Sequence, residues 1–206
     1  MRHLFSVSFA AICFCALSIK SFAAESNTVQ IAKSYKDGGH YNLSGSGTPH
    51  EIRFKNERIL AAGTNGTYCS GFTFAVVMRA AEQREFLKNK TVEQIRVFQK
   101  EWYGVTGDTE RQAGPAMENL GIGKSVSAAQ GLPGDFVQFW RATKSGHSAV
   151  FLNWVEGGGK KIGFKYRSTQ KATDGIGDRI EYFNDIPEKK GAVLRDRTYF
   201  ARLNSK

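Results

Sequence analysis

Apolar positions recur at helical spacing through the first half of the chain and alternate with polar ones through the second half. From Cys69, the residues Phe72, Val76 and Ala80, with Met78 and Ala81 beside them, form one stripe of a helix that begins at the cysteine. Thr91 followed by Gln94 is a capping box, and Val92, Ile95, Phe98 and Trp102 share one side of the helix it starts. Thr109 and Gln112 suggest another start, but Pro115 forces a kink or a short new helix from Gly114 to Leu120, which Gly121 ends. Ahead of these, the polar, glycine-rich stretch from Glu25 to His50 predicts turns rather than a long element. Glu51 to Ala62 is more ordered, and Gly63-Thr64-Asn65-Gly66-Thr67 is a turn.

After Gly131-Leu132-Pro133-Gly134 the pattern becomes that of strands: Asp135 to Arg141, Ser148 to Trp154, Lys161 to Ser168, Arg179 to Phe183 and Arg197 to Leu203. Helices first and antiparallel strands after them define the α+β class. Gly157-Gly158-Gly159 is a hairpin turn between two alternating runs rather than a linker, so residues 24–206 are expected to form one domain. Residues 1–23 have the layout of a secretory signal: Met1-Arg2-His3, an apolar run from Leu4 to Ile19, then Ser21-Phe22-Ala23 with small residues for cleavage near Ala23. That run is shorter than the roughly twenty residues a spanning helix needs, so a secreted or periplasmic protein without a membrane anchor is expected.

The 206 residues carry 29 Lys and Arg against 19 Asp and Glu, a formal charge of +10 that loses two with Arg2 and Lys20. Pairs such as Lys160-Lys161 and Lys189-Lys190 are too scattered, and too little interleaved with aromatic residues, to form a nucleic-acid stripe. With 22 Gly and 4 Pro but no collagen period, heptads or internal repeat, fibrous and repeat architectures are excluded. Trp102, Trp140 and Trp154 read as core or groove walls. His40 and His50 lack partners at ligand spacing, so no metal and no cofactor is expected.

Removal of the signal takes Cys13 and Cys15 with it and leaves Cys69 as the one cysteine, unable to form an internal disulfide in a compartment where thiols oxidise. A thiol in the first turn of a helix faces unsatisfied N-H groups and the positive end of the helix dipole, which favour the thiolate and can also hold an oxyanion. Such a nucleophile needs an acid and base, for which His40, His50 and His147 remain. His147, in Ser145-Gly146-His147-Ser148-Ala149-Val150, stands at the mouth of a strand that would hold its ring in place. A buried, inert Cys69 and a merely polar strand-end His147 are the competing readings.

Tyr68-Cys69-Ser70-Gly71 at a helix start, Pro133-Gly134-Asp135-Phe136-Val137, and Gly146-His147-Ser148-Ala149-Val150-Phe151-Leu152 together resemble the papain-like cell-wall cysteine amidases and endopeptidases of the NlpC and CHAP types. The resemblance runs from about Gly63 to Gln170. It departs from the pattern at Tyr68, where many NlpC-type members carry an acid, and in having no second His after the next strand. It implies a papain-like core of helices packed on an antiparallel sheet, and cleavage of an amide bond in peptidoglycan stem peptides through a thioester. Cys69 would attack and His147 would hold the thiolate and protonate the leaving amine. A binding module of the same fold without catalysis, or a cysteine protease or acyltransferase, is the alternative.

The third member of such a site would orient the His147 ring. A hairpin tip at Gly157-Gly158 places Ser168 opposite His147, whereas a tip at Gly158-Gly159 places Gln170 there. Gln170 is preferred for the reach of its amide oxygen, with Ser168 second; both share a face with Tyr166 and Phe164.

Overall fold

The computed structural model describes residues 27–205, so the expected leader, with Cys13 and Cys15, lies outside the described residues. Residues 27–33 are helical (α1), where turns were expected. Thr28, Ile31 and Ala32 are buried at helical spacing, a stripe of barely two turns that the glycines after it obscure. Strand β1 (Gly38–Gly39) and the hairpin β2 (Ile52–Phe54) and β3 (Glu57–Leu60) complete the N-terminal part.

Three longer helices follow. Helix α2 (Cys69–Gln83) begins at the cysteine and buries Phe72, Phe74, Val76 and Val77. Helix α3 (Val92–Trp102) has the capping box, Thr91 accepting from the Gln94 N-H while Gln94 Oε1 accepts from the Thr91 N-H, and buries Ile95, Phe98 and Trp102. Helix α4 (Ala113–Leu120) takes the short form and stops at Gly121, whose φ of 73° is left-handed. The strands are β4 (Gly123–Val126), β5 (Phe136–Arg141), β6 (Gly146–Gly157), β7 (Lys160–Gln170), β8 (Gly175–Tyr182) and β9 (Val193–Leu203). They join β1 in one antiparallel sheet of order β1-β8-β7-β6-β5-β9-β4. Strand β4 had no forecast, because Gly123-Lys124-Ser125-Val126 carries no alternation; its pairing with β9 creates it.

Alternation along the strands sorts the apolar side chains into two clusters, one on each face of the sheet. The first joins the helices to Phe136, Val150, Ile176, Ala201 and Leu203. The second holds Val137, Phe139, Ala149, Phe151, Phe164, Tyr166, Phe183, Val193 and Phe200, all outside the α-helices. Arg167, buried on the helical side, fastens the N-terminal segment to the sheet: it donates to the carbonyls of Ala32 and Tyr35 and to the carboxylates of Asp37 and Asp178.

The β6–β7 hairpin turns at Gly158-Gly159, with Gly157 opposite Lys160. Both turn residues have positive φ, 57° and 73°, which the tight turn requires of glycine. One irregularity at Val155/Glu156 and another at Phe151/Asn153 compensate, so Phe151 faces Tyr166 and Val150 faces Arg167. There the ladder ends, although β6 continues back to Gly146 and β7 on to Gln170.

Candidate active site

Cys69 is the free thiol among the described residues, half-buried at the first position of α2. Tyr68 caps the helix with extended backbone but without a side-chain bond, and no acid lies in the first turn, so the N-H groups there are not neutralised by a carboxylate. Close packing holds this end of the helix. A Cβ on Gly71 would stand 2.3 Å from the carbonyl carbon and oxygen of Gly47, so only glycine lets the 45–48 loop lie on the first turn. Tyr68 Oη donates to the Gly45 carbonyl and Tyr103 Oη to that of Ser46, and the two rings meet edge to face.

Three tyrosines, Tyr41, Tyr68 and Tyr103, lie within electrostatic range of Cys69. Burial raises the pKa of each hydroxyl, and the charge of a Cys69 thiolate raises it further. They therefore stay protonated, and the Tyr68 and Tyr103 hydroxyls keep donating to the carbonyls of the 45–48 loop. No local signal marks these tyrosines, because Tyr41 arrives through a parallel bridge with Thr67 and Tyr103 from the end of α3. Among the described residues the polar neighbour of Sγ is Ser70 Oγ, at 4.0 Å.

His147 is in the second cluster. Opposite Phe139 in the β5–β6 ladder, its ring packs against Phe139 at 5.4 Å and Tyr166 at 5.5 Å, on the face turned away from α2. The expected hydrogen bond between Cys69 and His147 is not made in this arrangement. Burial, helped by the positive charge of Arg141, pushes the imidazole pKa down to about 3. Glu181 opposes that shift, but its carboxylate is spent on Arg141, which it grips through both oxygens, and on the Tyr166 hydroxyl. No sequence spacing links Arg141 to Glu181; the fold alone brings them together.

Continuing the β6–β7 register beyond Val150↔Arg167 puts Gln170 across from His147, as the Gly158-Gly159 tip predicts. Gln170 lies against the ring and favours its charged form, while His147 Nε2 and Gln170 Oε1 are both buried without a hydrogen-bond partner of full geometry. The Gln170 amide instead donates to Thr173 Oγ1. Ser168 Oγ donates to the Ser148 carbonyl at 2.6 Å and so clasps β7 to β6. On the helical face, Ser148 Oγ donates to Gln138 Oε1, and Thr67 and Thr169 share a bond of 2.8 Å that ties the approach of α2 to the end of β7.

The other imidazoles stand elsewhere. His40 is exposed and pairs through Nδ1 with Asp174 at 3.0 Å, and His50 stacks on Tyr35. Asp135 of the Pro-Gly-Asp motif is buried, accepting from the Leu132 N-H and from Arg202, which gives it a structural task at the head of β5. Among the described residues no group of three His, Cys, Asp or Glu is placed to hold a metal, and no helix is long and apolar enough to cross a membrane. Compared with protein-family models and with curated proteins, the chain has no match.

Proposed function

We propose that this protein is an exported cysteine hydrolase that cleaves an amide bond in peptidoglycan peptides, with Cys69 as nucleophile on a papain-like core. The observation that carries the reading is the half-exposed thiol on the first residue of a fifteen-residue helix whose N-terminus has neither a side-chain cap nor an acid. Backbone N-H groups there can hold the oxyanion of a tetrahedral intermediate. The order of motifs along the chain adds the resemblance to NlpC- and CHAP-type enzymes. In this scheme Cys69 Sγ attacks the carbonyl carbon, an imidazole protonates the leaving amine, and water releases the acyl group from the thioester. His147 is the proposed imidazole and Gln170 its neighbour.

One observation favours a second reading, a binding module of the same fold that recognises wall peptides without cutting them: His147 packs with Phe139 and Tyr166 rather than with the thiol. Digestion of purified peptidoglycan, followed by mass analysis of the fragments, decides between them. Fragments released by the native protein and not by Cys69→Ala establish the hydrolase and name the bond. Retention of both proteins on the wall material, with no fragment from several wall types, establishes the binding module.

A further inference from the structure

At the end of the sheet tied to the approach of α2, the backbone pairing of β6 with β7 is incomplete. Backbone pairing of β6 with β7 stops at Val150↔Arg167, and beyond it the Ser168 hydroxyl on the Ser148 carbonyl replaces the ladder. At this opening lie the two buried side-chain atoms that the sheet leaves unpartnered, His147 Nε2 and Gln170 Oε1. Unpaired buried polar atoms are costly, and a rearrangement that satisfies them recovers that cost. The β7 flank of the same opening is tied through Thr169 to Thr67, two residues before Cys69. A ring nitrogen without a hydrogen-bond partner thus lies at one side of this opening, and the approach to the thiol helix is tied to the other.

We infer that this arrangement is the resting state of the site, and that His147 leaves the Phe139–Tyr166 pocket through the open β6–β7 seam to meet Cys69. The inference rests on the hydrolase reading. What has to be undone lies at the strand end: the ring contacts with Phe139 and Tyr166, the pairs Trp140↔Gly146 and Phe139↔His147, and the Arg141 N-H bond to the Ser145 carbonyl beyond them, in an exposed turn that holds Lys144 at a φ of 66°. A shift of one residue in the leading end of β6 carries its side chains to the other face of the sheet. Arg141, Glu181, Arg179 and Tyr166, the charged and titratable groups around the vacated pocket, remain joined through Glu181. The ring leaves the pocket neutral. At Cys69 it accepts the thiol proton, giving thiolate and imidazolium with no other reactant.

Alkylation of Cys69 by iodoacetamide at pH 6 tests the movement without any substrate, so a failure here is separate from a failure to digest peptidoglycan. Ser168→Ala removes the clasp across the seam and is expected to raise the alkylation rate about fivefold, the worth of one hydrogen bond. Adding His147→Ala to that variant should abolish the gain. Unchanged rates in Ser168→Ala, or a gain that persists without His147, overturn the inference. In the unsubstituted protein, relaxation dispersion on labelled histidine should reveal exchange of the His147 ring on the microsecond-to-millisecond scale. A ring free of such exchange overturns it as well.

Discussion

Lowering the pH sets the burial of His147 against protonation, and the size of the effect follows from its two surroundings. In the unfolded chain the imidazole titrates near 6.5, and in the folded protein burial holds it at about 3. Above pH 6.5 both states are neutral and the group is silent. As the pH falls through 6.5 toward 3, only the unfolded state takes up the proton, so stability is lost. At pH 4.5 the unfolded imidazole is protonated about a hundredfold over its neutral form while the folded one is still neutral. Two powers of ten amount to about 2.7 kcal/mol. Urea unfolding of the native protein and of His147→Leu at pH 8 and pH 4.5 isolates this contribution from the other titrating groups: the native protein should lose about 2.7 kcal/mol more than the variant. A parallel loss would refute the buried neutral ring. The opposite sign, with the native protein gaining on the variant, is what a resident imidazolium-thiolate pair would give, because an imidazole with a raised pKa stabilises the fold below that value.

Cys69→Ala should abolish peptidoglycan hydrolysis with an unchanged circular dichroism spectrum, and Cys69→Ser should not restore it, because a hydroxyl stays protonated where a thiol ionises. Gly71→Ala drives a methyl into the Gly47 backbone and should cost about 1–3 kcal/mol in urea unfolding, with slower Cys69 alkylation as the 45–48 loop shifts. Thr91→Ala removes the α3 cap for about 1 kcal/mol, read as a lower unfolding midpoint without loss of activity. Arg167→Met leaves Asp37 and Asp178 short of a partner and should cost about 3 kcal/mol, with early proteolysis between residues 27 and 39.

Local signals in the sequence mark the elements that local chemistry makes. The capping box at Thr91, the glycine stop at Gly121, the helix opened by Cys69 and the tight turn at Gly158-Gly159 all stand where their residues place them. Elements made by distant partners escape such a reading: α1 is stabilised by burial of Ile31 and Ala32, and β4 by its pairing with β9. The site divides along the same line. Cys69 at a helix start and Gln170 across from His147 follow from apolar periodicity and hairpin register, both short-range. Which face of the sheet His147 takes depends on the phase of the strand against helices far away in sequence, and Gly146-His147-Ser148 offers a polar residue to either face. The tyrosines around the thiol and the Arg141–Glu181 pair depend wholly on tertiary packing.

The tie made by Arg167 also closes a long loop in the chain. Residues 27–39 come first in the described chain and are held from two distances: Arg84, Arg79 and Phe72 of the α2 region meet Thr28, Ser34 and Tyr35, while Arg167, Asp178 and the Gly175–Ile176 edge lie more than 120 residues later. Closing so long a loop is entropically slow, and the contacts that reward it form only when β7 and β8 exist. The contacts of Arg167 and of β1 therefore have no partner before β7 and β8 are made, and a chain delivered from its N-terminus passes through a stage in which α2 is already there to receive residues 28–35 while the β8 edge that β1 will cover does not yet exist.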